Sequence, residues 1–204
     1  KLSEGNNAGF IQGLFASHPP SQERVNRNRA TAAKYPGGVR NKEAFQRAMA
    51  QVNKDQKAYA NYQKAQKLAG EKKYIDALAY VDQSIAAQPK ENLFWEMKGQ
   101  LLLQQNKTSE AVTALDRAVQ ANPQYFKPYV FRGIAYNQLG KNDMAEKDLL
   151  TSQRYLPTQL AAYYLGEVSS AKGNRAQAAQ YYQQAAQGGG EIGEAAKGKL
   201  GKLQ

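Results

Sequence analysis

The sequence contains no cysteine and a single histidine, His18. The absence of cysteine excludes disulfide bonds, thiolate zinc sites and cysteine nucleophiles from this chain. One histidine excludes any site that needs two imidazole groups from these 204 residues. No stretch approaches eighteen consecutive apolar residues, so the sequence predicts no transmembrane segment. We therefore expect neither a metal site nor another cofactor within the chain itself.

Negative charge is also scarce, because 28 Lys and Arg outnumber 17 Asp and Glu and give a formal net charge of +11. The excess is concentrated in residues 1–57. A basic chain is compatible with nucleic-acid binding. The same charges are expected on a solvated face beside an acidic partner domain, and we favour that explanation over a nucleic-acid partner.

A repeat with a constant spacing is the strongest pattern in the sequence. Three prolines stand 34 residues apart, each preceded by an alanine twelve positions earlier and by another small residue twelve positions before that. A fourth set follows one residue early and ends in a glycine run in place of a proline. The sets are Ala65, Ala77 and Pro89; Gly99, Ala111 and Pro123; Gly133, Ala145 and Pro157; and Gly166, Ala178 and residues 188–190.

These residue types indicate pairs of closely packed helices. A large side chain at the small positions would force the two helices apart, at a cost of about 1–3 kcal/mol. Proline ends the second helix because it lacks an amide donor and restricts the residue before it. Lys64, Lys98 and Arg132 stand where the first helix usually has an apolar residue, and we expect them to extend along its edge.

A 34-residue period with these small residues resembles the tetratricopeptide repeat (TPR) family. The resemblance implies an all-α fold, a TPR α-solenoid of about four helix-turn-helix repeats. In that family the first helix of each repeat lines the inner wall of a superhelix. The candidate protein-binding groove residues, carried over from those positions, are Tyr59, Tyr62, Gln66, Glu96, Gln100, Leu103, Lys127, Val130, Ile134, Asn137, Tyr163 and Glu167.

The candidate groove is rich in tyrosine and amide side chains and carries mixed charge. It lacks the clustered Lys, Arg and Asn with which chaperone-binding TPRs hold a terminal carboxylate. Recognition of an extended or loosely folded polypeptide by stacking and amide hydrogen bonds fits this lining better. The alternative is that many of the tyrosines pack between repeats.

A second pattern lies in residues 14–25, which read Leu-Phe-Ala-Ser-His-Pro-Pro-Ser-Gln-Glu-Arg-Val. This segment resembles the Phe-x-x-His-Pro-Pro-x-x-x-Arg sequence that closes the catalytic domain in the zinc metallopeptidase family of HtpX and the CAAX prenyl protease. A TPR array directly after it is similar to the BepA-like periplasmic proteases. The first residue is Lys1 and no signal-like segment follows, which suggests a mature or truncated chain. The resemblance implies that the chain is the C-terminal part of a longer enzyme.

In that family zinc is held by His-Glu-x-x-His and a later Glu, and the Glu of the motif is the general base. This chain contains none of those residues, so the resemblance implies zinc in a parent endopeptidase and no catalysis by this chain alone. Only His18 and Arg24 correspond to family positions, as catalytic residues beside the cleft. The His approaches the metal or scissile carbonyl, and the Arg steadies a carboxylate or the oxyanion. The alternatives are a helix-start residue for His18 and a surface ion pair for Arg24.

The two resemblances together predict how the chain is divided. The expected parts are the end of a metallopeptidase-like domain at 1–40, a linker helix at 41–57, a TPR array at 58–190 and a capping helix at 191–204. The expected repeats are 58–91, 92–125, 126–158 and 159–190.

The predicted function follows from this division. The TPR array would recruit a polypeptide substrate, or dock the protease on an envelope assembly protein, in the periplasm as part of protein quality control. The alternative is a free-standing TPR adaptor with no protease attached, and the sequence does not exclude the cytoplasm.

Overall fold

The computed structural model describes residue 26, residues 29–31, 33 and 34, and residues 42–203. All regular structure in these residues is helical, and no helix among them is long and apolar enough to cross a bilayer. His18, Arg24 and the rest of the segment 14–25 lie outside the described residues. The chain divides into two compact units, Lys1–Arg47 and Ala48–Gln204, and the packing described below belongs to the second.

Helices follow one another along the described chain with only short connections. Their bounds are α1 Lys42–Gly70, α2 Tyr74–Ala87, α3 Asn92–Gln104, α4 Thr108–Ala121, α5 Phe126–Gln138, α6 Asn142–Tyr155, α7 Gln159–Ala171, α8 Arg175–Ala186 and α9 Gly190–Gly201.

The helices pack as successive hairpins. Helix α4 packs on α3, α6 on α5, and α8 on α7, while each of these second helices except α8 also contacts the first helix of the next hairpin. The first helices α3, α5 and α7 also contact their neighbours in turn and therefore form one layer of the stack. Helix α9 packs on α8 and α7 and covers the end. The expected all-α fold of stacked helical hairpins is confirmed.

The recurring glycines lie where the two helices of a hairpin come closest. A Cβ atom added to Gly99 would lie 2.4 Å from Cγ of Leu115, and one added to Gly133 would lie 2.7 Å from Cγ of Leu149. Gly166 repeats this arrangement in the last hairpin. Carbon atoms do not approach that closely without displacement, so the small residues of the repeat are a steric requirement of the hairpin.

An aromatic residue of the following hairpin forms a hydrogen bond to the carbonyl of two of the three recurring prolines. Helices α2 and α4 end two residues before Pro89 and Pro123. The indole nitrogen of Trp95 donates to the carbonyl of Pro89 at 2.8 Å, and the hydroxyl of Tyr129 donates to that of Pro123 at 2.9 Å. The bonded residues are six positions apart in both cases, so the period of the sequence also sets the turn between hairpins.

The basic residues at the 34-residue spacing have partners on second helices. Arg132 donates to both carboxylate oxygens of Asp148, at 2.6 and 2.8 Å, and Asp148 is only 5% exposed. Because Arg132 also bonds an aspartate of the preceding hairpin, it joins two repeats. The partners are the ring of Tyr80 for Lys64, Asp82 for Lys98, and Asp116 with Asp148 for Arg132.

The glycine run at 188–190 performs the role of a proline at the end of α8. Gly189 and Gly190 both have positive φ angles, 65° and 63°, which turn the chain directly into α9. The side-chain amide of Gln159 donates to the carbonyls of Ala185 and Gly189, at 2.7 and 2.8 Å. These bonds join the start of α7 to the end of α8 and to the turn before α9.

Candidate functional site

A groove of 660 Å³ crosses the layer formed by α3, α5 and α7. The end of α1 and the beginning of α2 close one side of it through Ala69 and Tyr74. Its floor is apolar, which is usual for a site that holds a ligand by burial. The apolar residues of the floor are Met97, Leu101, Leu103, Phe131, Ile134 and Leu160.

Polar groups of the groove come from amide side chains and tyrosine hydroxyls. The side-chain amides of Gln104 and Asn106 make no hydrogen bond to the described part of the protein, so both can bond a ligand. An amide group donates through nitrogen and accepts through oxygen, and therefore matches both kinds of group on a peptide backbone. The polar lining residues are Tyr74, Gln100, Gln104, Asn106, Gln138 and Tyr164.

None of the described residues that line this groove is charged. The protein as a whole carries 28 basic and 17 acidic residues, so the uncharged lining is a local property of the inner layer. Charged groups of a ligand would find no counter-ion there.

Three of the residues predicted from the family positions line the groove, namely Gln100, Leu103 and Ile134. Two others lie elsewhere on the same helices: Val130 is 3% exposed, in the core, and Asn137 is half-buried. The remaining predicted residues lie outside the lining of this groove, and they are Tyr59, Tyr62, Gln66, Glu96, Lys127, Tyr163 and Glu167.

Several of the lining residues that were not predicted from the family positions come directly after a predicted residue in the sequence. They belong to two sets with the same spacing, and that spacing is the signal that could have found them. Residues three and seven positions apart share a helix face. The sets are Met97, Gln100 and Gln104 on α3, and Phe131, Ile134 and Gln138 on α5, each position recurring after 34 residues.

Two of the predicted tyrosines form an aromatic cluster on α1 and α3. Tyr59 and Tyr62 each pack against Phe94, with ring centroids 5.2 Å apart. The hydroxyl of Tyr59 donates to Oε2 of Glu91 at 2.5 Å. This hydrogen bond and partial burial raise the pKa of Tyr59 to about 12. The cluster therefore combines packing between repeats with an exposed edge.

Glu96 is a buried carboxylate beside the groove. It is 4% exposed, and the amide nitrogen of Gln100 donates to its Oε1 at 2.6 Å. No ion pair to Glu96 exists among the described residues. Burial raises the pKa of Glu96 to about 7, although Lys127, Gln100 and Tyr125 favour the charged form. A desolvated carboxylate without a direct counter-ion costs free energy in the ionised state.

The last predicted residues belong to the other end of the array. The carboxylate of Glu167 accepts from Nζ of Lys199 at 2.7 Å and from the hydroxyl of Tyr182. Tyr163 packs edge-to-face on the lining residue Tyr164, with centroids 5.4 Å apart. These contacts join α7 to α8 and α9 and leave Glu167 committed to partners within the protein.

Among the described residues, no three or more His, Asp or Glu side chains are grouped so that they could hold a metal ion. A zinc site like that of the resembled peptidases also needs two histidines, whereas the sequence has one. The residues present therefore do not fit zinc.

Residues 56–126 match the family model of the tetratricopeptide repeat. A comparison with curated proteins gives no match. Among solved structures, the first TPR of Spaghetti (RPAP3) bound to HSP90 peptide SRMEEVD has 26% identity and a TM-score of 0.57, over 58% of this chain and 95% of that one.

Two further similar structures are TPR proteins of lower identity. YrrB, described as having an unusual peptide-binding site, has 22% identity and a TM-score of 0.59, over 69% of this chain and 74% of that one. MamA (41-end) from Desulfovibrio magneticus RS-1 has 21% identity and a TM-score of 0.58, over 63% and 73%. The expected TPR solenoid fold is thus confirmed.

Proposed function

We propose that this protein binds polypeptide and holds an extended segment of its partner in the groove across α3, α5 and α7. The observation that carries the proposal is the lining of that groove, which combines an apolar floor with two amide side chains, Gln104 and Asn106, that have no partner in the described protein.

An extended chain has two needs that this lining meets. Its backbone N–H and C=O groups lose water on binding and must find new partners. The amides of Gln104 and Asn106 offer a donor and an acceptor each. Its apolar side chains are stabilised by burial, at about 25 cal/mol per Å². The structures of similar fold described as peptide-bound or peptide-binding support the proposal by analogy.

Photo-crosslinking tests the groove directly. The photoreactive residue p-benzoylphenylalanine is placed at Gln104, in the groove, or at Gln120, exposed on α4 outside it. The probe is reduced α-lactalbumin alkylated with iodoacetamide, a permanently unfolded chain whose blocked cysteines carry no charge. We expect a crosslinked product from position 104 and none above background from position 120. Equal crosslinking from both positions would mean that the groove is not the binding surface.

We propose in addition that the array serves a zinc metalloendopeptidase, for which it recruits protein substrate or docks on an envelope assembly in the periplasm. The support is the segment 14–25, with His18 and Arg24, ahead of a TPR array. The residues of this chain do not fit zinc, so the metal would have to be held by residues outside these 204, and this chain alone should not hydrolyse casein. A free-standing adaptor is the alternative.

The genomic reading frame upstream of Lys1 separates these two possibilities. Codons for His-Glu-x-x-His in the same frame would identify the peptidase. A stop codon immediately upstream, with a start at or near Lys1, would leave the adaptor.

A further inference from the structure

We infer that the groove selects an internal, apolar segment without acidic side chains, and that it rejects acidic C-terminal peptides. This inference rests on the proposed function, since it specifies the polypeptide that the groove across α3, α5 and α7 would hold. It sets this protein apart from a protein of the same fold, the Spaghetti TPR, whose peptide SRMEEVD carries three acidic residues.

No Lys or Arg is among the described residues that line the groove. A carboxylate that entered it would lose hydration without gaining an ion pair, which is the most expensive way to bury a polar group. A terminal carboxylate would meet the same penalty as Asp or Glu, so the fitting segment is an internal one.

An acidic side chain lies directly behind the lining. Gln100 lines the groove and donates to Oε1 of Glu96 at 2.6 Å. An acidic ligand group near Gln100 would therefore meet a carboxylate behind it. Lys127, the cation that acts on Glu96, is exposed and is not part of the lining. Two like charges brought together at an interface raise the free energy of that complex, and they therefore exclude an acidic partner.

The groove is suited to apolar side chains. Met97, Phe131, Ile134 and Leu160 supply an apolar floor from three successive helices. Uncharged amides at the border bond a backbone whatever its side chains are. The combination fits a stretch of alternating apolar and small polar residues.

The net charge of the protein predicts the opposite preference, which makes the test decisive. A chain with a net charge of +11 attracts acidic peptides at long range. At 150 mM salt this attraction is screened beyond about 8 Å, so the groove itself should decide.

The probe is an array of overlapping 12-residue peptides that cover the α-lactalbumin sequence, with blocked termini. Each peptide is present twice, once with its natural sequence and once with every Asp and Glu replaced by Asn and Gln. We expect the neutral copy of an acidic peptide to bind about tenfold more protein than the natural copy. Equal binding of the two copies, or stronger binding of the acidic copies, would overturn the inference.

A variant that adds positive charge to the lining tests whether the groove is the source of the preference for neutral peptides. Gln104→Lys combined with Gln138→Lys places two cations on exposed lining positions, and we expect the acidic copies to bind at least as well as the neutral ones. Gln120→Lys combined with Gln183→Lys adds the same charge at exposed positions outside the groove and should keep the natural preference. A control that loses the preference as well would refute the groove as its source.

The two proposals fail in different ways. Binding by none of the peptides would refute both the groove function and the partner chemistry. Binding without discrimination against acidic residues would refute the partner chemistry alone.

Discussion

Glu96 makes the stability of this protein depend on pH in an unusual direction. Burial raises the pKa of its carboxyl from 4.5 to about 7. Between these values the folded chain binds more protons than the unfolded chain. The free energy of unfolding therefore falls as the pH rises from about 4.5 to 7, and it stays low above that range. Most carboxylates in ion pairs have the opposite effect.

The size of the effect follows from the same two values. At 1.36 kcal/mol for each pH unit, the change from 4.5 to about 7 corresponds to about 3 kcal/mol of lost stability at pH 8. Glu96→Gln removes the charge and keeps both the shape and an oxygen that accepts from Gln100. We expect the variant to be more stable than the natural protein by about 3 kcal/mol at pH 8, and equally stable at pH 4.5.

Urea unfolding followed by far-ultraviolet circular dichroism at pH 4.5, 5.5, 6.5 and 8 measures this difference. All other titrating groups are common to the two proteins, so the difference between their profiles isolates Glu96. Glu110→Gln, at an exposed position on α4, is the matched control and should leave the profile unchanged. Parallel profiles for the natural protein and Glu96→Gln would show that burial of this carboxylate does not control its protonation.

Three further substitutions test the packing. Gly99→Ala should lower the free energy of unfolding by about 1–3 kcal/mol, because its Cβ would lie 2.4 Å from a carbon of the facing helix. Arg132→Met should cost about 3–5 kcal/mol, because it leaves Asp148 buried without its counter-ion. Ser169→Ala should raise the free energy of unfolding by about 1 kcal/mol, because the buried serine hydroxyl is 1% exposed and has no hydrogen-bond partner among the described residues. Urea unfolding at pH 7 measures all three.

Each of these three substitutions has a matched control of the same chemical type at a position with different contacts. Gly70→Ala has nothing within 4 Å of the new carbon and should not destabilise the protein. Lys98→Met removes a more exposed ion pair and should change stability by about 1 kcal/mol or less. Ser152→Ala removes a hydroxyl that donates to a carbonyl at 2.8 Å and should destabilise by about 1 kcal/mol. The local explanation is wrong if Gly70→Ala or Lys98→Met destabilises as much as its partner substitution, or if Ser152→Ala and Ser169→Ala change stability in the same direction.

The fold could be predicted from the sequence because its determinants are short-range and steric. Positions 99 and 133 must hold small residues because two helices cross closely there. Pro89 and Pro123 end helices through their own covalent structure. Such constraints appear as residue types at a fixed spacing and need no knowledge of the rest of the chain.

The groove could be predicted only in part. Gln100, Leu103 and Ile134 follow from the family positions, whereas Phe131 and Tyr164 were missed. A repeat gives the period of the inner wall, but the width of that wall depends on how far each first helix is rotated toward its neighbours. That rotation is set by packing between helices, which the sequence pattern does not express.

The partners of charged residues were the least predictable feature. Arg132 was expected to extend along the edge of its helix, and it instead joins two second helices through Asp116 and Asp148. Both aspartates are sixteen residues away, in opposite directions. Which of several nearby carboxylates a long side chain reaches depends on three-dimensional distances, since opposite charges occur at many sequence separations.

Equivalent positions in the repeat show that the fold does not require a carboxylate at position 96. The residue 34 positions later is Val130, 3% exposed, in the same place on the next first helix. An apolar side chain thus satisfies this position without the penalty of a desolvated charge. Stability alone would favour such a residue at position 96 as well. Under the proposed partner chemistry, Glu96 would place a negative charge behind the lining residue Gln100 at a pH above its pKa of about 7, and its unfavourable burial would then serve binding rather than folding.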